Sequence, residues 1–166
     1  MPTNEHASKR VASVRCAVVT LSDTRTKETD SSGKLIIDRL EAAGHQVVDY
    51  EILPDDPAGI RAHVESRCAS TSEAILITGG TGLSIRDTVY EAVSPLLEKR
   101  LDGFGELFRM LSFEEIGATA MLSRAVAGVR NRTIVFAMPG SPDAVRLAME
   151  RLILPTLGHI IKLISD

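Results

Sequence analysis

Residues 74–87 read AILITGGTGLSIRD: an apolar run, Ala74 to Ile77, passes into three glycines in four positions, then Ser84, Arg86 and Asp87. A continuous apolar run of this kind reads as a strand buried on both faces, as in a parallel sheet covered by helices. Glycines at its end permit positive φ and close approach of another group to the backbone. Successive amides of such a turn form a concavity suited to phosphate oxygens. Thr81 and Ser84 add hydroxyl donors. A tight strand-to-helix turn that holds no ligand fits the local sequence equally well.

Outward from this segment the chain alternates. Arg15–Ser22, Gln46–Leu53, Glu73–Thr78 and Thr133–Met138 read as strands. Helices are expected over Lys34–Ala43, Pro57–Ala69 and Thr88 to about Lys99, and after Ser141, with Pro142 at its first position. Thr88 with Glu91 and Ser112 with Glu115 match the capping box. The second match predicts a break between GELFRML and FEEIG, and Pro155 predicts a kink or break in the last helix. The alternation points to a three-layer α/β/α sandwich with a mainly parallel sheet. One domain is expected over 15–166, preceded by a flexible N-terminal tail over 1–14 that lacks the apolar centre of a signal peptide.

Composition narrows the function. The 166 residues carry a net charge of −3 and only 4% aromatics, with no Trp. That argues against nucleic-acid binding, which needs a basic field and stacking platforms. No apolar run reaches the roughly 18 residues of a membrane span, so a cytoplasmic protein is expected. Cys16 and Cys68 form no paired motif and read as reduced, buried thiols. The four histidines are scattered, which argues against zinc.

In open α/β sheets, ligands bind beyond the carboxyl ends of the strands. Three loops leave strand ends there: the one after Ser22, GGTGLSIRD, and PGSPD. The glycine loop is neither a P-loop, which needs Lys and Ser/Thr after its last glycine, nor a dinucleotide fingerprint, which needs a small residue at Ile85. Asp87 is its sharpest residue. A carboxylate beside a phosphate cradle calls for a cation, and Mg²⁺ takes carboxylate and phosphate oxygens together. Asp55, Asp23 and Glu106 are further candidates, and each also reads as a solvated surface acid. Arg86, Arg109 and Arg124 read either as anion ligands or as surface ion pairs.

Six segments together carry a resemblance: TLSDTR (20–25), DSSG (30–33), ITGGTGLSIRD (77–87), GFGELFRMLSFEEIG (103–117), LSRAVAG (122–128) and FAMPGSPDA (136–144). The chain resembles the MoaB/MogA family of molybdenum cofactor biosynthesis proteins, and the fourth segment places it nearest the MoaB branch. The resemblance implies an α/β domain that binds molybdopterin and assembles as a trimer or hexamer. It implies adenylyl transfer from ATP to molybdopterin with Mg²⁺, giving adenylyl-molybdopterin and pyrophosphate. Residue by residue, it implies catalytic roles for Asp87 and Asp55, with Asp87 also on the metal. It implies phosphate binding by Gly79, Gly80, Thr81 and Gly82, and a nucleotide side lined by Ser22 and Asp23. Glu106, Ser123, Pro139, Gly140 and Ser141 would complete the pocket. Many active members carry Thr-Pro where this chain has Val89-Tyr90, a change that reshapes the helix entry. The alternative is a molybdopterin-binding or carrier protein without turnover, working with other proteins of the pathway.

Overall fold

A computed structural model describes residues 11–166. Six strands form one sheet in the order β2-β1-β3-β6-β5-β4: β1 Arg15–Leu21, β2 Gln46–Leu53, β3 Ala74–Thr78, β4 Lys99–Arg100, β5 Val126–Arg130 and β6 Thr133–Met138. The helices are α1 Ser31–Ala42, α2 Pro57–Cys68, α3 Val89–Val93, α4 Asp102–Ile116, α5 Pro142–Ala148 and α6 Leu154–Ser165. Strands β2, β1, β3 and β6 run parallel, while β5 and β4 are antiparallel to their neighbours.

Every residue of β3 and β6 is buried, because helices cover both faces of the sheet. One face carries Val18, Leu76 and Phe136 against Ile36, Phe104, Phe108 and Met149 from α1, α4 and the C-terminal helical segment. The other carries Val19, Ile77 and Val135 against Ile60 and Val64 of α2 and Val89 and Val93 of α3. Truncating any of the large ones to Ala costs about 2–5 kcal/mol through lost transfer energy and the cavity left behind. The three layers and the mainly parallel sheet match the sequence reading.

The register puts the site in place. Thr20 pairs with Thr78, Thr78 with Met138, and Leu21 with Leu53. The four parallel strands therefore end level, and the loops after them open on one edge. Strand β5 runs the other way, with Val126 paired to Ala137. Its entrance at Val126, two residues after Arg124, thus lies on that same edge.

Several local expectations are corrected. The break predicted at Ser112 does not occur. Helix α4 runs unbroken to Ile116, since Phe104, Phe108, Leu111 and Ser112 form its continuous buried stripe. Packing overrides a capping signal there. Thr88 makes no side-chain cap bond, and its helix is only five residues long. A 3₁₀ turn at Ser94–Leu96 follows, and then the short strand β4, which replaces helix at Lys99. Helix α1 begins three residues earlier than expected, capped by the Asp30 carboxylate, which accepts the Gly33 amide at 2.9 Å. Strand β5, Val126–Arg130, is an additional strand that the sequence reading does not include. At Pro155 the chain stays helical: a π-helical stretch, Met149–Ile153, precedes the proline, which falls in the first turn of α6, where a missing N–H costs little. Residues 1–10 of the expected tail lie outside the described residues. Of the remainder, Val11 donates its amide to the Gly158 carbonyl at 3.1 Å, and Val14 is fully buried. Both cysteines are free and buried, and burial pushes the Cys16 thiol up to about 12.

Candidate functional site

The glycine loop is built by backbone constraint. Gly79 has φ +102 and Gly80 φ +72, values open to glycine and strained for other residues. A Cβ on Gly79 would also stand 2.7 Å from the Leu21 carbonyl oxygen. β3 can thus leave the sheet only because both positions are glycine. The Thr78 hydroxyl donates to the Pro139 carbonyl at 2.9 Å, the Gly79 amide donates to the Met138 carbonyl, and a Cβ on Gly140 would stand 3.4 Å from the Gly79 Cα. The Pro139-Gly140-Ser141 turn therefore lies directly against the start of the glycine loop. Ser141 caps α5, accepting the Ala144 amide at 3.2 Å.

Two carboxylates border the loop. Asp55, in the turn between β2 and α2, places its Oδ1 3.4 Å from where a Cβ of residue 80 would stand. Asp87 places its Oδ2 2.7 Å from the corresponding point on Gly82 and accepts the Ser84 amide at 3.0 Å. It therefore caps its own loop rather than α3, and no hydrogen bond among the described residues uses its Oδ1. Asp23 adds a third acid: its Oδ1 accepts the Asp55 amide at 3.3 Å, and its Oδ2 pairs with Arg86 at 2.6 Å. Burial first, then the charges of Asp23 and Asp87, raise the Asp55 pKa above its ordinary value, and Arg86 opposes them. Like charges gathered with one exposed arginine leave a local surplus of negative charge.

That surplus decides how well Mg²⁺ fits. Among the described residues no three His, Cys, Asp or Glu side chains form a ready-made cage. Mg²⁺ does not require one, since it binds through one or two carboxylates, waters and substrate phosphates. Asp55 and Asp87, hard oxygen donors on two sides of the glycine loop, are a fitting donor set.

The remaining residues fall into two groups. The Ser22 hydroxyl accepts the amides of Thr24 and Arg25 at 3.2 and 2.9 Å. It lines a small polar cavity with Thr20, Asp30, Ser32, Thr78 and Gly140. Asp30, 2% exposed, anchors that cavity, accepting Thr20 Oγ1 at 2.6 Å and the Tyr50 hydroxyl. Ser32 donates to the Gly140 carbonyl at 2.7 Å, so α1 is tied to the loop after β6. Glu106 and Ser123 stand apart from this group. Glu106 lies on α4 in a groove with Arg100, Asp102 and Arg109, and Ser123 lines the neighbouring cleft with Tyr90, Arg109 and Arg124.

The arginines resolve differently. Arg86 pairs with Asp23 on the surface. Arg109 donates to the Ser123 and Ala125 carbonyls at 3.3 and 3.2 Å. Arg124 donates to the carbonyls of Gly82 and Asp87 and to the Glu91 carboxylate. The Asp30–Tyr50 contact and the Arg124 contacts were not legible in the sequence, since their partners lie 20 and more residues away.

Comparison with known proteins agrees with this geometry. Residues 17–159 match the family model described as "Probable molybdopterin binding domain". The chain is 49% identical over 164 residues to molybdenum cofactor biosynthesis protein B of Halalkalibacterium halodurans, covering 98% of this chain and 96% of that one. A crystal structure of a molybdenum cofactor biosynthesis protein B superposes with TM-score 0.90 at 53% identity, over 92% of this chain and 96% of the other. The tungsten cofactor synthesizing protein MoaB from Pyrococcus furiosus does so with TM-score 0.84 at 35% identity, over 94% and 99%. The level strand ends, the glycine loop between two acids, and these likenesses converge: the chain belongs to the molybdopterin-binding-domain family and, within it, to the MoaB group of molybdenum cofactor biosynthesis proteins.

Proposed function

We propose that this protein is a molybdopterin adenylyltransferase: it binds molybdopterin and ATP and transfers AMP to the molybdopterin phosphate. The observation that carries the reading is that Asp55 and Asp87, from two separate loops, border the same glycine loop. An oxygen of the molybdopterin phosphate attacks the α-phosphorus of ATP. The bond from that phosphorus to the bridging oxygen breaks, and pyrophosphate leaves with the electron pair. The attacking phosphate is already ionised, so the chemistry needs no general base. The chain's contribution is positioning and charge compensation. Gly80, Thr81 and Gly82 hold phosphate oxygens through backbone amides, each charge-assisted bond contributing roughly 1.5–3 kcal/mol, while Gly79, whose own amide is taken by the Met138 carbonyl, makes the turn that presents them. Ser22, Asp23 and the Pro139-Gly140-Ser141 turn border the nucleotide, while Glu106 and Ser123 border the far end of the pterin. Asp87, with Asp55, would hold Mg²⁺, which supplies charge neutralisation on the phosphates when bound.

Two further parts of the reading are a cytoplasmic location and self-assembly into a trimer or hexamer. No helix among the described residues is long and apolar enough to cross a membrane. On α4 and the turn after it, Leu107, Met110, Phe113, Ile116 and Met121 are 47–76% exposed, an apolar patch that favours contact with other copies. Pyrophosphate release tests the chemistry: it is expected only when ATP, Mg²⁺ and molybdopterin are all present. Release without molybdopterin would indicate simple nucleotide hydrolysis. No release from protein that binds molybdopterin would indicate a carrier.

A further inference from the structure

Arg124 makes more contacts with the glycine loop than a surface residue needs. The Arg124 Nε donates to the Gly82 carbonyl at 3.0 Å, its Nη2 to the Asp87 carbonyl at 2.9 Å, and its backbone amide to the Thr81 carbonyl at 2.8 Å. One residue thus grips the chain on both sides of the exposed segment Leu83–Arg86. The guanidinium is fixed in turn. The Glu91 carboxylate accepts from both terminal nitrogens, and the Tyr90 ring lies 5.5 Å from the Arg124 Cζ. Arg100 holds Tyr90 from elsewhere on the surface, donating to its hydroxyl at 3.0 Å and to Ser94 Oγ at 2.9 Å.

Besides Arg124, the loop is tied outward by the exposed Arg86–Asp23 ion pair at 2.6 Å and by the Val89 amide, which donates to the Gly80 carbonyl at 3.2 Å. Ile85 is 98% and Leu83 68% exposed, so no packing secures its tip. Internally it has the Asp87 amide to the Ser84 carbonyl and the Ser84 amide to the Asp87 carboxylate. These bonds fix the shape of the turn but not its position on the protein. Arg124 fixes that position with three hydrogen bonds to loop carbonyls, whereas Arg86–Asp23 is a single solvent-exposed ion pair of little strength. A planar fork can serve two carbonyls and a carboxylate at once, whereas an ammonium on a flexible stem is a point charge with no such geometry.

We propose that Arg124 is the positioning residue of this site: braced by Glu91 and Tyr90, it holds both ends of the glycine loop so that the loop amides and the Asp87 carboxylate face a phosphate-bearing ligand together. The proposal rests on the reading of this loop as the phosphate-binding element. Arg124 itself need not touch the ligand.

Hydrogen exchange on the unliganded protein and molybdopterin titration test it together. In Arg124→Met, the amides of Ser84 and Asp87 are expected to exchange roughly tenfold faster while amides of β3 and β6 keep their rates. Molybdopterin affinity is expected to fall about tenfold or more. Arg124→Lys is expected to behave like the Met variant. Recovery by Lys would overturn the fork and leave only charge. Uniform acceleration across the sheet would reveal a merely structural role, and wild-type exchange in the loop would refute the grip altogether. Faster loop exchange with unchanged affinity would equally overturn the positioning role. Should Arg124→Met fail to fold, Tyr90→Leu removes the brace and leaves every Arg124 hydrogen-bond partner in place. It is expected to quicken the same two amides, and wild-type rates in it would overturn the bracing. If the wild type bound no molybdopterin, the functional reading would fall, and the exchange rates would still decide whether Arg124 holds the loop.

Discussion

The carboxylate of Asp87 accepts the amide of Ser84 at 3.0 Å, which turns it back over the glycine loop and leaves its Oδ1 outside the hydrogen bonds among the described residues. Asp55 faces the same loop from the opposite strand connection and feels the Asp87 charge. Two acids from separate loops therefore share one edge of the glycine loop.

If Asp87 acts on the reacting phosphates, removing its charge should spare binding and remove turnover. Asp87→Asn keeps an oxygen able to accept the Ser84 amide. A loss of about 100-fold or more in kcat is expected, with molybdopterin affinity within a few-fold of wild type. Steady-state kinetics alongside a fluorescence titration would separate the two.

Asp55 makes a pH-dependent prediction. Its folded-state pKa is raised, so the folded protein holds this proton more tightly than the unfolded chain does. The associated stability is fully present below the ordinary value of 3.8 and is lost as pH rises through the folded value. Asp55→Asn should therefore raise Tm at about pH 7, where the native carboxylate is ionised and disfavoured, and leave it unchanged below pH 3.8. Added MgCl₂ should raise the wild-type Tm more than that of Asp55→Asn, a difference that thermal scans at neutral pH would read.

Gly79 and Gly44 separate two costs of adding a methyl group. Both have positive φ, but a Cβ on Gly44 meets nothing within 4 Å, whereas one on Gly79 would stand 2.7 Å from the Leu21 carbonyl oxygen. Gly44→Ala should cost about 1 kcal/mol, the conformational term alone. Gly79→Ala should cost about 2–4 kcal/mol, since backbone must also shift. Urea titrations of both variants would measure the difference.

Asp30 is buried with three donors: Thr20 Oγ1, the Tyr50 hydroxyl and the Gly33 amide. Tyr50→Phe removes one of them from a buried acid and should destabilise by roughly 1.5–3 kcal/mol. Chemical denaturation would check this, and an unchanged midpoint would mean that water replaces the phenol.

The sheet was legible where a strand is buried on both faces. Ala74–Thr78 and Thr133–Met138 are continuous apolar runs, and no other element of the period competes. Val126–Arg130 carries no strand signal of its own, being short, interrupted by Gly128 and set beside a polar motif. Lys99–Arg100 is a strand only because Val129 and Gly128 pair with it, which no local pattern encodes. Ser112 and Glu115 matched a helix start, yet Ser112 is buried within the stripe of α4. Local capping energies of about 1 kcal/mol yield to such packing. At the site, the glycines and both acids were readable from residue type and position. The Arg124 grip was not, because it depends on β5 running antiparallel to β6 and so delivering residue 124 to the edge where β3 ends.

The most direct test follows the adenylyl group itself. Protein mixed with molybdopterin, Mg²⁺ and ATP labelled at the α-phosphate should produce labelled adenylyl-molybdopterin, and Asp87→Asn should produce none while still binding molybdopterin. Absence of labelled product from wild-type protein that demonstrably holds molybdopterin would contradict the transferase reading and make the protein a carrier.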